Sequence, residues 1–205
     1  EKDTVLKFYE TVAADYDNIH GEQNLSWTGP QKLVEIVFTE GSSLCQNESC
    51  KVLDFGAGTG LLGEALATNK MFTGQIDATD LSPSMMKVAV DRRVYAEHYV
   101  GNVGDDVHLQ NGKYNAIVGA GVIGTHVDGE FVLQRLIPLL APGGILAYTM
   151  KSDHVPGFEN MTATLERLGY SCTETPVGPL NQNNPLVVHK IVSWKAPAHA
   201  GCSII

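Results

Sequence analysis

No stretch of this 205-residue chain stays apolar for the roughly 20 residues that a bilayer-crossing helix needs. Basic charge is also scarce: 14 Lys and Arg stand against 23 Asp and Glu, giving a formal net charge of −9 and a pI of about 5.1. Nucleic-acid binders carry a basic face, so DNA or RNA is not an expected partner. An acidic chain is also repelled by anionic membrane surfaces. The four cysteines, Cys45, Cys50, Cys172 and Cys202, form no Cys-x-x-Cys pair, and no histidines cluster at ligand spacing. No metal site is therefore expected. Cys45 and Cys50 are near enough in sequence to bridge, but they flank a core of intracellular character, and reduced thiols are expected. The sequence contains no internal repeat and no low-complexity segment. It begins at Glu1 rather than at a methionine, so trimming of an upstream segment is expected. The tail Gly201-Cys202-Ser203-Ile204-Ile205 fits the Cys-a-a-X prenylation pattern. However, Ile is not a favoured last residue and no polybasic stretch precedes it. A single prenyl chain would anchor weakly, so stable membrane insertion is not expected and a cytoplasmic location is.

What remains is ordinary globular composition, 43% hydrophobic and 18% charged. The length suits one α/β domain over residues 1–205, with a helical cap over 1–40, a core over 51–195 and a tail over 196–205. The hydrophobic period alternates along the chain. Helices are expected over Thr4–Asp15, Pro30–Phe38, Leu61–Thr68, Pro83–Arg92, Glu130–Leu140 and Gly157–Leu168. Strands are expected over Lys51–Phe55, Gln75–Thr79, Ala96–Val100, Asn115–Ala120, Gly144–Met150, Ser171–Val177 and Leu186–Lys195. Strand-helix alternation ending in a hairpin predicts a doubly wound seven-stranded sheet, mostly parallel with an antiparallel C-terminal edge.

The strongest local signal is Val52-Leu53-Asp54-Phe55-Gly56-Ala57-Gly58-Thr59-Gly60. An apolar strand runs into three glycines at alternate positions, which lets the backbone turn tightly and approach a ligand. The helix opening at Leu61 aims its first amides at that ligand. Asp80 lies 20 residues beyond Gly60, where a carboxylate can accept from both hydroxyls of a ribose. The run Gly58-Thr59-Gly60-Leu61-Leu62-Gly63 also fits the dinucleotide fingerprint G-x-G-x-x-G. Asp54 favours a different ligand: it would repel a pyrophosphate but welcome the amino group of S-adenosylmethionine.

These segments resemble the class I S-adenosylmethionine-dependent methyltransferases. Val52–Gly60 looks like the first motif of that family, and Asp77–Met86, with Asp80 ahead of Leu81-Ser82-Pro83, looks like the second. Gly101-Asn102-Val103 stands where the family has Gly-Asp-Ala, with Asn for the acid. Lys113–Val118 resembles the fourth strand, again with Asn115 for Asp, and Leu139–Gly144 resembles the turn before the fifth. The segment Phe8-Tyr9-Glu10 through Tyr16-Asp17 resembles the part that caps the cofactor. Within the class, Val118–Gly121 and His126-Val127 are most similar to the methyltransferase-like proteins of the Williams–Beuren region. The resemblance implies a Rossmann-like fold, S-adenosyl-L-methionine as cofactor with S-adenosyl-L-homocysteine as product, no metal, and a small-molecule methyl acceptor. It implies a cofactor site built from Tyr16, Trp27, Asp54, Gly56, Ala57, Gly58, Gly60, Leu61, Asp80, Leu81, Met85, Asn102, Val103, Gly119 and Gly121.

Several of these residues have a plainer reading. Tyr16 and Trp27 either cover a sulfonium with their aromatic faces or pack the N-terminal helices. Met85 and Met86 fill either the core or an adenine pocket. His126, past the fourth strand, is either a general base or a solvated loop histidine. His20 and His154 are weaker candidates on the same rim. Tyr16 and His126 are the candidate catalytic residues, and the segment Tyr9–Trp27 is expected to act as a lid. A methyl bound as a sulfonium needs little more than an in-line nucleophile and a dry site, so no elaborate catalytic constellation is expected. Two alternatives stay open at this point: an NAD(P)-dependent oxidoreductase, and a non-catalytic methyltransferase fold serving as an interaction subunit.

Overall fold

Apolar runs bounded by glycine and asparagine become the strands at the centre of the molecule. The structure is a computed structural model that describes residues 2–20, 27–41, 48–70, 72–101, 109–124, 129–153, 159–182 and 184–198. The strands are β1 (Lys51–Phe55), β2 (Gln75–Asp80), β3 (Glu97–Val100), β4 (Tyr114–Gly119), β5 (Leu140–Lys151), β6 (Ser171–Pro179) and β7 (Val188–Lys195). They form one seven-stranded sheet in the order β3-β2-β1-β4-β5-β7-β6. The pairs among β1 to β5 are parallel, and β7 is antiparallel to both β5 and β6. This is the Rossmann-like α/β sheet the sequence predicts. The order reverses between β1 and β4, so a crevice opens at their carboxyl ends.

Side chains alternate across the sheet because successive strand residues face opposite ways. Leu53, Ile117, Leu146 and Tyr148 face one way, into a core with Leu133 and Leu136 of α6 (Gly129–Leu136) and Leu165 of α7 (Glu159–Arg167). Val52, Ala116, Val118, Ile145 and Ala147 face the other way. They pack against Leu33, Val34 and Val37 of α3 (Gly29–Gly41) and Leu62 and Leu66 of α4 (Leu61–Thr68). On that face Ala78 of β2 meets Met86 and Ala89 of α5 (Pro83–Asp91). With both faces covered, the central strands lose a polar side, and they read as continuous apolar runs.

Element boundaries move where local chemistry overrides periodicity. The first expected helix appears as α1 (Lys2–Val12), which ends three residues before Asp15, and a further helix, α2 (Tyr16–His20), follows it. Helix α6 stops at Leu136, four residues early, and a 3-10 turn over Ile137–Leu139 follows. Pro138 explains the change, since it has no N–H to continue an α-helix. Strand β5 consequently starts at Leu140 instead of Gly144, with a register shift between Tyr114 and Ala116 in its pairing with β4. Strand β6 runs on to Pro179, across an irregularity between Pro176 and Gly178. Cys50 and Cys172 are free thiols, while Cys45 and Cys202 lie outside the described residues. Among the described residues no helix is long and apolar enough to cross a membrane.

At Gly119, the last residue of β4, an added Cβ would stand 2.3 Å from Cε1 of Phe55, which is itself buried. Packing alone therefore requires glycine here. Gly119→Ala should lower the unfolding free energy by about 1–3 kcal/mol, as overfilled cores do. Denaturant titration checks this, and an unchanged midpoint would show that the Phe55 ring has room to shift.

Candidate functional site

The glycine-rich turn is fastened to the end of β2. Gly56 N–H and Ala57 N–H both donate to the Thr79 carbonyl, at 2.7 and 3.0 Å, and Gly58 N–H donates to Asp80 Oδ2 at 2.8 Å. The other oxygen of Asp80, Oδ1, accepts from Ser82 N–H at 2.8 Å. Ser82 then caps α5, its Oγ accepting from Met85 N–H at 3.2 Å, with Pro83 following in the first turn. One carboxylate thus ties the turn to the start of the next helix. Burial pushes Asp80 up from its ordinary value, against the backbone donors of Ser82, Gly58 and Leu81 that hold it down.

Two of the glycines serve different ends. A Cβ on Gly56 would meet Val122 Cγ2 at 2.4 Å, so that position is closed by the chain itself. Gly58 has φ +56 and nothing within 4 Å of where a Cβ would stand. Its left-handed backbone borders open space, which is the place for a ligand to approach. Gly60, with φ 90, precedes α4 and makes no side-chain cap bond, so the helix begins with donors still to satisfy.

Asp54 lies beneath this turn, fully buried. Tyr95 OH donates to its Oδ2 at 2.8 Å, while Oδ1 has no hydrogen-bond partner. Burial pushes its carboxyl up to about 7. The Tyr95 hydroxyl opposes that shift, the charge on Asp80 adds to it, and the Gly63 N–H opposes it. The result is a pocket floor with two desolvated carboxylates.

The N-terminal helices cover this floor. Tyr9 and Tyr16 pack ring against ring with centroids 6.2 Å apart, and both lie close enough to Asp80 to feel its charge. Burial is the larger cause of their raised values, and Tyr16 is pushed up to about 12. Both hydroxyls therefore keep their protons and remain donors. Towards β7, Trp27 lies beside Gly121 and packs edge-on against His189, centroids 5.8 Å apart. Gly121 N–H donates to Thr149 Oγ1 at 2.8 Å. Leu81 is exposed at the rim, whereas Met85 and Met86 are buried. Gly119 adjoins Phe55, and Leu61 opens α4. Asn102, Val103, His126 and His154 lie outside the described residues.

The structure thus brings Tyr16, Asp54, Ala57, Gly58 and Asp80 together, and it sets Trp27 and Gly121 apart from them, towards β5 and β7. It also contributes residues that sequence reasoning passed over. Tyr95 follows α5 with no motif around it, and His189 sits in an alternating strand. Asp17 and Arg92, 75 positions apart, form an ion pair. Only the neighbourhood of Asp17 to Tyr16 pointed to any of these. Among the described residues no group of three or more His, Cys, Asp or Glu could hold a metal ion.

The Asp54 environment makes a pH prediction. Its ordinary value is 3.8 and its folded value about 7, so folding takes up a proton between those limits. This carboxyl's contribution is therefore most favourable below about pH 4 and declines as pH rises towards 7, by up to about 1.4 kcal/mol per pH unit. Asp54→Asn removes that titration. The stability of the wild type minus that of Asp54→Asn, from denaturant unfolding in pH steps, should fall across this window and level off above it. Parallel curves would show that Asp54 is not so desolvated.

Comparison with known proteins agrees with this arrangement. Residues 53–146 match the family model described as a methyltransferase domain. A ubiquinone biosynthesis O-methyltransferase of Xanthomonas campestris pv. campestris (strain B100) is 33% identical over 100 residues, 47% of this chain and 41% of the relative. An 18S rRNA (guanine-N(7))-methyltransferase of Bos taurus is 30% identical over 137 residues, 62% of this chain and 48% of the relative. The chain thus spans about half, or less, of the length of these curated relatives. Among solved structures, phosphoethanolamine N-methyltransferase 2 of Haemonchus contortus, in complex with S-adenosyl-L-methionine, superposes with a TM-score of 0.69. The identity is 15%, covering 92% of this chain and 57% of that one, a likeness of fold. Residues 53–146, which hold the glycine-rich turn and the central parallel strands, are thus similar to a methyltransferase domain, and the whole sheet shares its fold with solved methyltransferases.

Proposed function

We propose that the chain binds S-adenosylmethionine at the carboxyl ends of β1 and β2 and directs methyl transfer to a small-molecule acceptor lying over β4 and β5. The observation that carries this reading is the pairing of open backbone at Gly58 with two carboxylates, the buried Asp54 and the part-buried Asp80. A dinucleotide would bring a pyrophosphate against those carboxylates, while S-adenosylmethionine brings a sulfonium and an ammonium. Asp54 Oδ1, buried and without a partner, fits a site whose charge is completed by a cationic ligand.

When bound, S-adenosylmethionine supplies an electrophilic methyl on a sulfonium that leaves readily. The chain's own residues position, enclose and dry the reaction. Asp80 accepts from Gly58 and Ser82, with Leu81 N–H also directed at it, and its remaining acceptor capacity would serve the ribose hydroxyls. Leu81, with Met85 behind it and Asn102 and Val103 beyond, would border the adenine. Ala57, Gly60 and Leu61 would present backbone to the amino-acid end. Tyr9 and Tyr16 would close over Asp80 as part of a lid extending to Trp27, shielding the reaction from water. Trp27, Gly121 and Gly119 would then face the acceptor side. His126 would take a proton only from an acceptor that must lose one early. The narrower likeness of Val118–Val127 to the Williams–Beuren-region proteins belongs to this proposal and names no acceptor. The −9 charge disfavours a polyanionic acceptor, though one curated relative is named for 18S rRNA.

Calorimetric titration tests the reading. S-adenosylhomocysteine should bind at micromolar strength and NADH should not; binding of NADH alone would reverse the assignment. Asp80→Ala should weaken S-adenosylhomocysteine by about 2 kcal/mol, the loss of a charged acceptor to two hydroxyls. Gly58→Val should abolish binding while leaving a cooperative unfolding transition, because its side chain enters the open space. A folded Gly58→Val protein that still binds would place the cofactor elsewhere.

A further inference from the structure

We infer that Arg92 is a positioning residue that latches the N-terminal cap onto the glycine-rich turn, with Asp17 as its catch. Arg92 follows α5, and its guanidinium is largely covered, with the side chain 16% exposed. It reaches three separate elements. Nε donates to the Thr59 carbonyl at 2.6 Å, Nη1 to Glu64 of α4, and Nη2 to Asp17 of α2. Asp17 in turn accepts from the Thr59 hydroxyl. The residue pair Gly58-Thr59 is therefore flanked by anchors on two sides: Asp80 at the Gly58 N–H, and Arg92 and Asp17 at the Thr59 carbonyl and hydroxyl. A planar guanidinium with five fixed donors can make such a three-way bond; the ammonium of a lysine cannot span it.

The two halves of the latch differ in burial. Thr59 is buried and the Arg92 side chain nearly so, whereas the Asp17 side chain is 37% exposed. Lifting the cap therefore breaks the contacts to Asp17 first, and leaves Arg92 seated on Thr59 and Glu64, ready to receive Asp17 again. The residue after the latch is also unusual. Arg93 adopts φ 59, a left-handed conformation that a bulky side chain rarely takes. That turn sends the chain back so that Tyr95 reaches Asp54 while Arg92 reaches Thr59. One short connection, from α5 to β3, thus supports the glycine-rich turn from beneath and fastens its cover. The same cap carries Tyr9 and Tyr16, so the latch governs how long those rings stay over Asp80.

This inference rests on the cofactor reading for its consequence but not for its test. In the unliganded protein, Asp17→Asn and Arg92→Lys should each speed amide hydrogen exchange in α1 and α2 by about tenfold or more, the usual effect of losing a charge-assisted bond. Exchange in β1, β4 and β5 should be unchanged. Glu64→Gln, which leaves the Asp17 contacts in place, should not alter exchange in the cap. The double variant Asp17→Asn/Arg92→Lys should be no faster than either single one, because both remove the same tie. Cap exchange equal to wild type in the single variants, or additive effects in the double, overturns the latch. A second arm measures release of S-adenosylhomocysteine by stopped flow. About tenfold faster release in Asp17→Asn, with a smaller response to added salt than in wild type, supports it. Equal release rates overturn the coupling to the site. If wild type binds no S-adenosylhomocysteine, the cofactor reading falls, and the exchange arm still decides the latch.

Discussion

Two carboxylates at neighbouring strand ends, Asp54 buried and Asp80 part-buried, impose the constraint around which the rest of the site is arranged. An ionised carboxylate in an apolar interior is strongly disfavoured unless donors surround it. Asp80 collects backbone N–H groups from both ends of the loops it joins, and in doing so it fixes the path of the glycine-rich turn. Asp54 is less completely satisfied. It holds the Tyr95 hydroxyl and leaves one oxygen without a partner. Asp77, one strand over, is held in the same way, with the Tyr114 hydroxyl on one oxygen and the other oxygen unpartnered.

Legibility in the sequence followed the range of the interactions involved. The strand β1, the helix α4 and the turn between them were readable residue for residue because their determinants are local: apolar alternation, then glycine, then helix-forming residues. Asp80 was readable because two consecutive strand-turn units fix its distance from Gly60. The mostly parallel seven-stranded sheet, with its antiparallel C-terminal hairpin, followed from the alternation of periods and from the family likeness, whereas the order of its strands came from the structure. The ends of α6 and the start of β5 were misplaced because Pro138 acts through a missing donor, which periodicity does not register. Arg92, Tyr95 and His189 were not readable at all. Each matters through a partner 41 to 75 or more positions away, or through a ring packed from another element, and no spacing rule reaches that far. Gly119 carries a second requirement that no spacing rule signals: a Cβ there would meet the Phe55 ring.

The division of the rim is equally physical. Near β2 the side chains are carboxylate and tyrosine, suited to hydroxyls and positive charge. Near β5 and β7 they are Trp27, Val122 and His189, with the Thr149 hydroxyl already engaged by Gly121. The segment before α3 is pinned there, with Thr28 N–H donating to the Leu180 carbonyl at 2.8 Å and Trp27 bridging Asn181. Burial lowers His189 from its ordinary value, with the charges of Lys151 and Asp153 near enough to act on it. Carboxylate and tyrosine therefore gather at one end of the crevice, and Trp27 and His189 rings at the other.

Among the described residues the sheet ends at β3 and β6, and each border is blunted in a different way. Strand β3 offers only four residues, too few to template a neighbour firmly. Strand β6 is longer, but Pro176 and Pro179 lack the N–H that a new strand would need, and the irregularity at Gly178, with φ 70, bends its edge away from a straight line. Growth of the sheet by adding another copy's strand is thereby opposed at both borders. The chain protects itself against aggregation with backbone chemistry alone and leaves its surface charges free for other uses.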